Sequence, residues 1–263
     1  MSVAKAYRSA TQIARVVSES WYSRNGYCLA CDETSLTRTP PNTKFNDFLC
    51  PNCGHTYELK AFRKRPRTSL VDGAYEILIS RIMDGSAPTL LLLQRNASWI
   101  VESLTAVHSV FLTPSVIEQR KPLSATARRA GWIGCNIRLD RIGPDGEVSI
   151  IEDCKIRPAA DVRRQFRGLI PLGLVAPKER GWTTLTLSVV RGLSSTSFSL
   201  SDLYARESIF RRAYPGNRHV RAKLRQQLQV LRDLGIVEFL GRGQYRLIGF
   251  HAGGKGVQRG PSF

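Results

Sequence analysis

An α/β core with a mixed sheet, followed by a C-terminal winged helix, is the fold class that three features of this 263-residue sequence predict. Short apolar runs alternate with helix-like pieces through the first two thirds of the chain. Cys28-x2-Cys31 and Cys50-x2-Cys53, separated by 18 residues, have the spacing of a zinc ribbon. The last third reads as two helices followed by a hairpin around Gly-Arg-Gly, the order of a winged helix.

In order along the chain, residues 8–22 put Ile13, Val16 or Val17 and Trp21 at helical spacing, which predicts an amphipathic helix. The cysteine pairs follow. AYEILISRIMD (74–84) reads as a helix, TLLLLQ (89–94), SVFLT (109–113) and EVSIIE (147–152) as strands, and DVRRQFRGLI (161–170) as a helix. PLGLVAPKERG (171–181), rich in Pro and Gly, reads as a linker. It divides the chain into domains of residues 1–177 and 178–263. Beyond it TLTLSVV reads as a strand, SLSDLYARESIFRRAY as one capped helix and NRHVRAKLRQQLQVLRDLG as another, and IVEFLGRGQYRLI as two strands. The glycine-rich tail GGKGVQRGPSF (253–263) is expected to be disordered and to add unspecific phosphate attraction.

Thirty-nine Lys and Arg against 21 Asp and Glu give a net charge of +18, more than solubility requires, and imply a polyanionic partner. Five of the basic residues fall in KAFRKRPR (60–67), and eight fall between Arg206 and Arg232 against the single acid Glu207. The N-terminal stretch lacks the apolar core of a signal peptide and LLLL (90–93) is too short to span a bilayer, so a soluble, cytoplasmic protein is expected. In a reducing compartment six cysteines argue for metal ligands or buried thiols rather than disulfides.

A zinc ion with four thiolate ligands has no open position and is structural. His55 could substitute for one ligand; Cys135 and Cys154 stand alone and read as core residues. Glu58 and Lys60 lie two apart in the strand-like YELKAF and so leave the same face. If Cys50 to Gly54 forms a hairpin tip centred between Asn52 and Cys53, Asp47 falls opposite Glu58. Two carboxylates and a lysine on one patch suit a magnesium-dependent phosphodiesterase: the acids hold the cation, and the lysine orients water and stabilises phosphate charge. Asp, ten residues, then Glu-x-Lys is the relaxed PD-(D/E)xK nuclease signature, with Asp47, Glu58 and Lys60 as the catalytic candidates. Asp153-Cys154-Lys155 is a rival match, and a salt-bridged surface strand is the plain alternative for Glu58 and Lys60. Glu19 could help at the metal, or be a solvated or capping residue.

In the predicted second helix of the winged domain Val220, Leu224, Leu228 and Leu231 form a core stripe. The other face carries Arg218, Arg221, Arg225, Gln226, Gln229 and Arg232. Such a face can simply be solvated, but with the net charge and Arg242 at the wing tip it points to DNA, whose base edges these side chains can reach in the major groove. A zinc-ribbon and winged-helix regulator without catalysis is the competing function.

The chain resembles the DpnI-like methylation-dependent restriction endonucleases over most of its length. The residues that carry the resemblance are CLAC with CPNC, DFLC followed by YELK, VDGAY (71–75), QRKPLSATARRAGWIGCNI (119–137), RGWT (180–183) and RQQLQVLRDLGIVEFLGRGQYR (225–246). The resemblance implies a PD-(D/E)xK catalytic domain with a structural zinc on Cys28, Cys31, Cys50 and Cys53, plus a winged helix that also reads methylated DNA. It implies Asp47, Glu58 and Lys60 as catalytic residues, with the Leu59 carbonyl at the magnesium. It also implies Trp132 as the contact to methyladenine, in a loop whose Arg128 and Arg129 approach DNA. The expected substrate is double-stranded GATC methylated on adenine, cut by a bacterial, monomeric enzyme.

Overall fold

A computed structural model describes residues 9–40, 43, 46–193 and 195–248; the tail at 253–263, expected to be disordered, lies outside them. The chain opens with α1 (Ala10–Asn25), then β1 (Thr37–Arg38), β2 (Phe48–Leu49), β3 (Thr56–Phe62), β4 (Ser69–Ala74) and α2 (Tyr75–Met83). It continues with β5 (Thr89–Arg95), β6 (Val101–Val107), β7 (Ile117–Gln119), β8 (Gly134–Arg138), β9 (Glu147–Glu152), β10 (Lys155–Ile156) and α3 (Ala159–Arg167). The first sheet runs β1-β2-β3-β5-β6-β9-β10. Only β3 and β5 pair in parallel there, so the sheet is mixed. Leu90 to Leu93 on β5 are all buried, as an unbroken aliphatic run must be when a central strand is covered on both faces. A second, antiparallel sheet has the order β4-β8-β7.

The last third comprises α4 (Pro177–Arg191), β11 (Ser197–Ser199), α5 (Leu200–Tyr204), α6 (Glu207–Ala213), α7 (Val220–Asp233), β12 (Val237–Gly241) and β13 (Gln244–Leu247). Its sheet has the order β11-β13-β12. The wing turns through Gly241, Arg242 and Gly243, all at positive φ, a conformation that the two glycines take without strain. Val220, Leu224, Leu228 and Leu231 on α7 are buried, as their spacing predicts. Helices α5 to α7 and this sheet make the C-terminal part a winged helix. None of the helices is long and apolar enough to cross a membrane among the described residues.

The structure overturns several local readings. SVFLT does not form a strand: Ser109–Phe111 is a 3-10 turn, closed by His108 Nδ1, which accepts from the Val110 N–H. The linker of 171–181 is folded: a 3-10 turn at Ile170–Leu174 leads into α4, with Pro177 at its start. The buried Arg180 donates to the carbonyls of Gly173 and Val175, satisfying the turn's backbone. TLTLSVV is helical within α4. Its alternation mimics a strand, but nearly every side of that helix is buried, and Thr184 and Thr186 return their hydroxyls to the carbonyls of Arg180 and Trp182. The expected single helix at 199–214 is two, α5 and α6, the first opened by a capping box between Ser199 and Asp202. On α1, Ile13, Val16, Val17 and Trp21 are only half-buried, and Ser18, Glu19 and Tyr22 form the buried face.

Helix α4 packs on α7 and on the turns around residues 109–116 and 170–174. Trp182 of α4 stacks on Tyr214 at 4.1 Å, and a Cβ on Gly181 would meet the Tyr214 hydroxyl and Ser115 Oγ within 3 Å. Gln227 of α7 is buried and accepts a 2.6 Å hydrogen bond from Thr183 Oγ1.

Candidate active site

The four cysteines meet at one end of β2 and β3, with their sulfurs all within 4.8 Å of one another. Cys28 Sγ lies 3.6 Å from Cys53 Sγ, and Cys31 Sγ lies 3.5 Å from Cys50 Sγ. In each pair the second cysteine's N–H points at the first sulfur, Cys31 at Cys28 and Cys53 at Cys50. Four ligands at about 2.3 Å from one ion stand roughly 3.8 Å apart, so the cluster fits a structural zinc. His55 takes no part. It pairs with Thr89 Oγ1 at 2.9 Å and packs on Tyr57 and Phe166. Tyr57 braces the cluster: its hydroxyl lies 3.3 Å from Cys28 Sγ and accepts from the Leu29 N–H. Cys135 is buried, as expected. Cys154 is not a core residue; it is exposed at a tight turn.

From this cluster the hairpin register follows. Cys50 N donates to His55 O, and Phe48 pairs with Tyr57 and Leu49 with Thr56. Every pair is symmetric about the midpoint of Asn52 and Cys53, so Asp47 falls opposite Glu58, and its own N–H donates to Tyr57 O. The Asp47 carboxylate then accepts from the Leu59 N–H at 2.8 Å, between Glu58 and Lys60.

Lys60 Nζ sits 2.6 Å from Glu58 Oε1 and 2.7 Å from Asp72 Oδ1. Asp72 is the residue that sequence reasoning missed. On SLVDGA, Leu70 and Asp72 are buried while Val71 between them is exposed, so the available signal was an acid on the inward face of a strand. Burial pushes the Glu58 carboxyl up to about 7, against the pull of Lys60 and with help from Asp72. Burial also raises Asp47, although the Leu59 N–H opposes it. Burial works against the Lys60 ammonium, but Glu58 and Asp72 outweigh it and hold the group charged beyond the usual lysine range. Glu58 Oε2 is buried without a hydrogen-bond partner. An acceptor left open beside the Asp47 carboxylate is a hard-oxygen donor set, and it fits magnesium.

The rival Asp153-Cys154-Lys155 is a surface hairpin tip. Glu152 pairs with Lys155, and Asp153 and Cys154 both have positive φ. Glu19 is neither solvated nor a cap: it is buried and paired with Arg15 and Arg38.

A cleft of about 810 Å³ joins the charged cluster to the loop between β7 and β8; Glu58, Lys60, Asp72, Arg129 and Trp132 all line it. The loop is pinned by hydrogen bonds from Leu123 N to Trp132 O and from Gly131 N to Leu123 O. The Arg129 guanidinium lies 4.5 Å from the Trp132 ring centre. The edge of that ring meets Gly134, where a Cβ would come 2.8 Å from Cη2 and 2.9 Å from Cζ3. Arg128 is exposed and is not among the lining residues.

On the winged helix, Arg218, Arg221, Arg225, Gln226 and Arg242 are all exposed. Arg221 pairs with Glu207 at 2.8 Å and lies over the Tyr204 ring, and Arg225 donates to the Tyr204 hydroxyl at 2.8 Å. These contacts hold the Arg221 guanidinium against α5 and α6 and that of Arg225 against α5.

Among known families, the model of the Dam-replacing family, DpnI, matches residues 1–172, and that of the Dam-replacing HTH domain matches residues 178–247.

Proposed function

The chain belongs to the Dam-replacing family, the family of DpnI-like restriction endonucleases, and on that basis we propose that it is a magnesium-dependent endonuclease cutting DNA within adenine-methylated GATC sites. The observation that carries the reading is the shared cleft: Glu58 and Lys60 open into the same space as Trp132 and Arg129. A base held at Trp132 brings its backbone toward the carboxylates.

In this reading Asp47, Glu58 and the Leu59 carbonyl hold magnesium. When bound, the cation neutralises the scissile phosphate and makes water a better nucleophile. Lys60, kept protonated by its neighbours, orients that water by hydrogen bonding and stabilises charge building on the phosphate. Trp132 stacks on the methylated adenine, Arg129 steadies the ring, and Arg128 contacts the DNA backbone. Structural zinc on Cys28, Cys31, Cys50 and Cys53 fixes the hairpin and with it the separation of Asp47 and Glu58. Residues 1–177 are the catalytic domain and 178–263 the second reader, where Arg218, Arg221, Arg225, Gln226 and Arg242 meet DNA. The enzyme acts as a monomer in the bacterial cytoplasm. A purely DNA-binding regulator has no use for two buried carboxylates sharing one half-buried lysine, because apolar residues would pack as well without the cost of desolvating the charges.

The test is plasmid carrying methylated or unmethylated GATC, incubated with magnesium and then with EDTA. Cleavage of the methylated plasmid alone, abolished by EDTA and by Lys60→Ala, is expected. Intact methylated plasmid, or equal cleavage of both, overturns the reading.

A further inference from the structure

We propose that Asp72 is a positioning residue for Lys60, and that it ties the lysine to the strand beneath the base-reading loop; the inference rests on the nuclease reading above. Asp72 does not belong to the sheet that carries Glu58 and Lys60. It comes from β4, in the sheet β4-β8-β7, and crosses to Lys60 with a 2.7 Å ion pair. Its side chain is 2% exposed. Oδ1 also accepts from the Gly73 N–H at 2.8 Å, while Oδ2 is buried with no hydrogen-bond partner.

A fold has little reason to bury this carboxylate. Glu58 alone neutralises Lys60, and a second acid leaves the cluster with excess negative charge in a desolvated place, a cost that an apolar residue would avoid. What the second acid provides is independence. With Asp72 holding one side of the ammonium, Glu58 can exchange its contact with Lys60 for another partner and the lysine stays in the cleft.

The backbone around Asp72 leads directly to the reader. Asp72 pairs with Cys135 and Ala74 with Gly134, across an irregularity at Gly73. Cys135 Sγ is 3.5 Å from Gly73 O, and Tyr75 N donates to Ile133 O. Gly134 is the residue that the edge of the Trp132 ring meets. Paired backbone, interrupted at Gly73, therefore links the strand at the edge of the Trp132 ring to the carboxylate that holds Lys60. A base seated against Trp132 presses on the strand that sets the lysine.

The experiment is a double-mutant cycle on the full chain, with Asp72→Asn, Gly134→Ala and the double variant. Single-turnover cleavage of a duplex with one methylated GATC site is measured beside melting temperature and DNA affinity in metal-free buffer. Asn keeps the shape of Asp72 and its acceptor for Gly73. The expected result is at least a tenfold slower cleavage for Asp72→Asn with affinity and melting unchanged, and a double variant no slower than the slower single one. A wild-type rate in Asp72→Asn, a rate loss that only tracks weaker affinity or lower melting, or losses that multiply in the double variant overturns the inference. Wild-type protein that leaves methylated DNA intact overturns the nuclease reading itself, and the inference with it.

Discussion

Asp47 Oδ2 accepts a 2.8 Å hydrogen bond from the backbone N–H of Leu59, so the acid beside β2 is fastened to the point on β3 between Glu58 and Lys60. Two short strands could slip, and a slip of one residue would turn Asp47 to the opposite face. The cysteine cluster at the tip prevents that. The symmetric pairs Cys50 with His55, Leu49 with Thr56 and Phe48 with Tyr57 all follow from it.

Loss of the zinc ligands should therefore remove activity through geometry. Cys31→Ser is expected to release zinc, to lower the melting temperature by well over the roughly 2–4 °C that 1 kcal/mol represents in a protein of this size, and to stop cleavage. Metal analysis and calorimetry check this. A zinc-free variant that melts and cuts like wild type would contradict it.

Glu58→Gln separates stability from function. It removes one desolvated acid from a group with two acids and one lysine, so it should melt no lower than wild type in metal-free buffer while cutting roughly 10²- to 10³-fold more slowly. Thermal melts and single-turnover rates decide it.

Trp132→Ala should reduce the preference for methylated over plain GATC. Burying one methyl gives only about 0.8 kcal/mol, close to fourfold, so the change is modest unless a misaligned site amplifies it. Gly134→Ala should act in the same direction, because its Cβ would press on the edge of the Trp132 ring. A cleavage competition between the two substrates measures both.

Arg218→Ala and Arg242→Ala should weaken DNA binding and lower the slope of log affinity against log salt by about 1 for each phosphate that the variant no longer neutralises. Catalysis at saturating DNA should be unchanged. Titrations at several salt concentrations provide the check.

His108 gives a prediction on pH. Burial, with the positive potential of His55 and Arg180 behind it, pushes its imidazole down to about 3. The unfolded chain binds this proton near pH 6.5 and the folded one does not, so stability falls as pH drops below about 6.5. The loss reaches roughly 2 kcal/mol by pH 5. His108→Asn, which can still accept from Val110, should show a flatter pH dependence of denaturant midpoints by about that amount.

The parts of this molecule legible in its sequence are those set by local spacing. The two Cys-x2-Cys pairs fix a hairpin centre, and counting outward from it reaches Asp47 and Glu58 without any knowledge of the rest of the fold. The core stripe of α7 is visible for the same reason. Misreadings fall where burial overrides pattern. The alternating TLTLSVV is a helix because it is enclosed on nearly all sides, and Pro and Gly at 171–181 read as a linker although Arg180 stitches that turn into the core. Asp72 is hidden because its partner lies on a different sheet, a pairing that no spacing within VDGAY can reveal. The charged face of α7 is visible in the sequence, but the ties of Arg221 and Arg225 to Glu207 and Tyr204 are not.

A zinc-fixed hairpin that holds Asp47 beside Glu58 and Lys60 to cut methylated DNA stands or falls on single-turnover cleavage by Asp47→Asn. With zinc bound, melting unchanged and DNA affinity intact, that variant should leave a methylated GATC duplex uncut in magnesium while wild type cuts it. Cleavage by Asp47→Asn at the wild-type rate would show that the hairpin's acid takes no part in the chemistry.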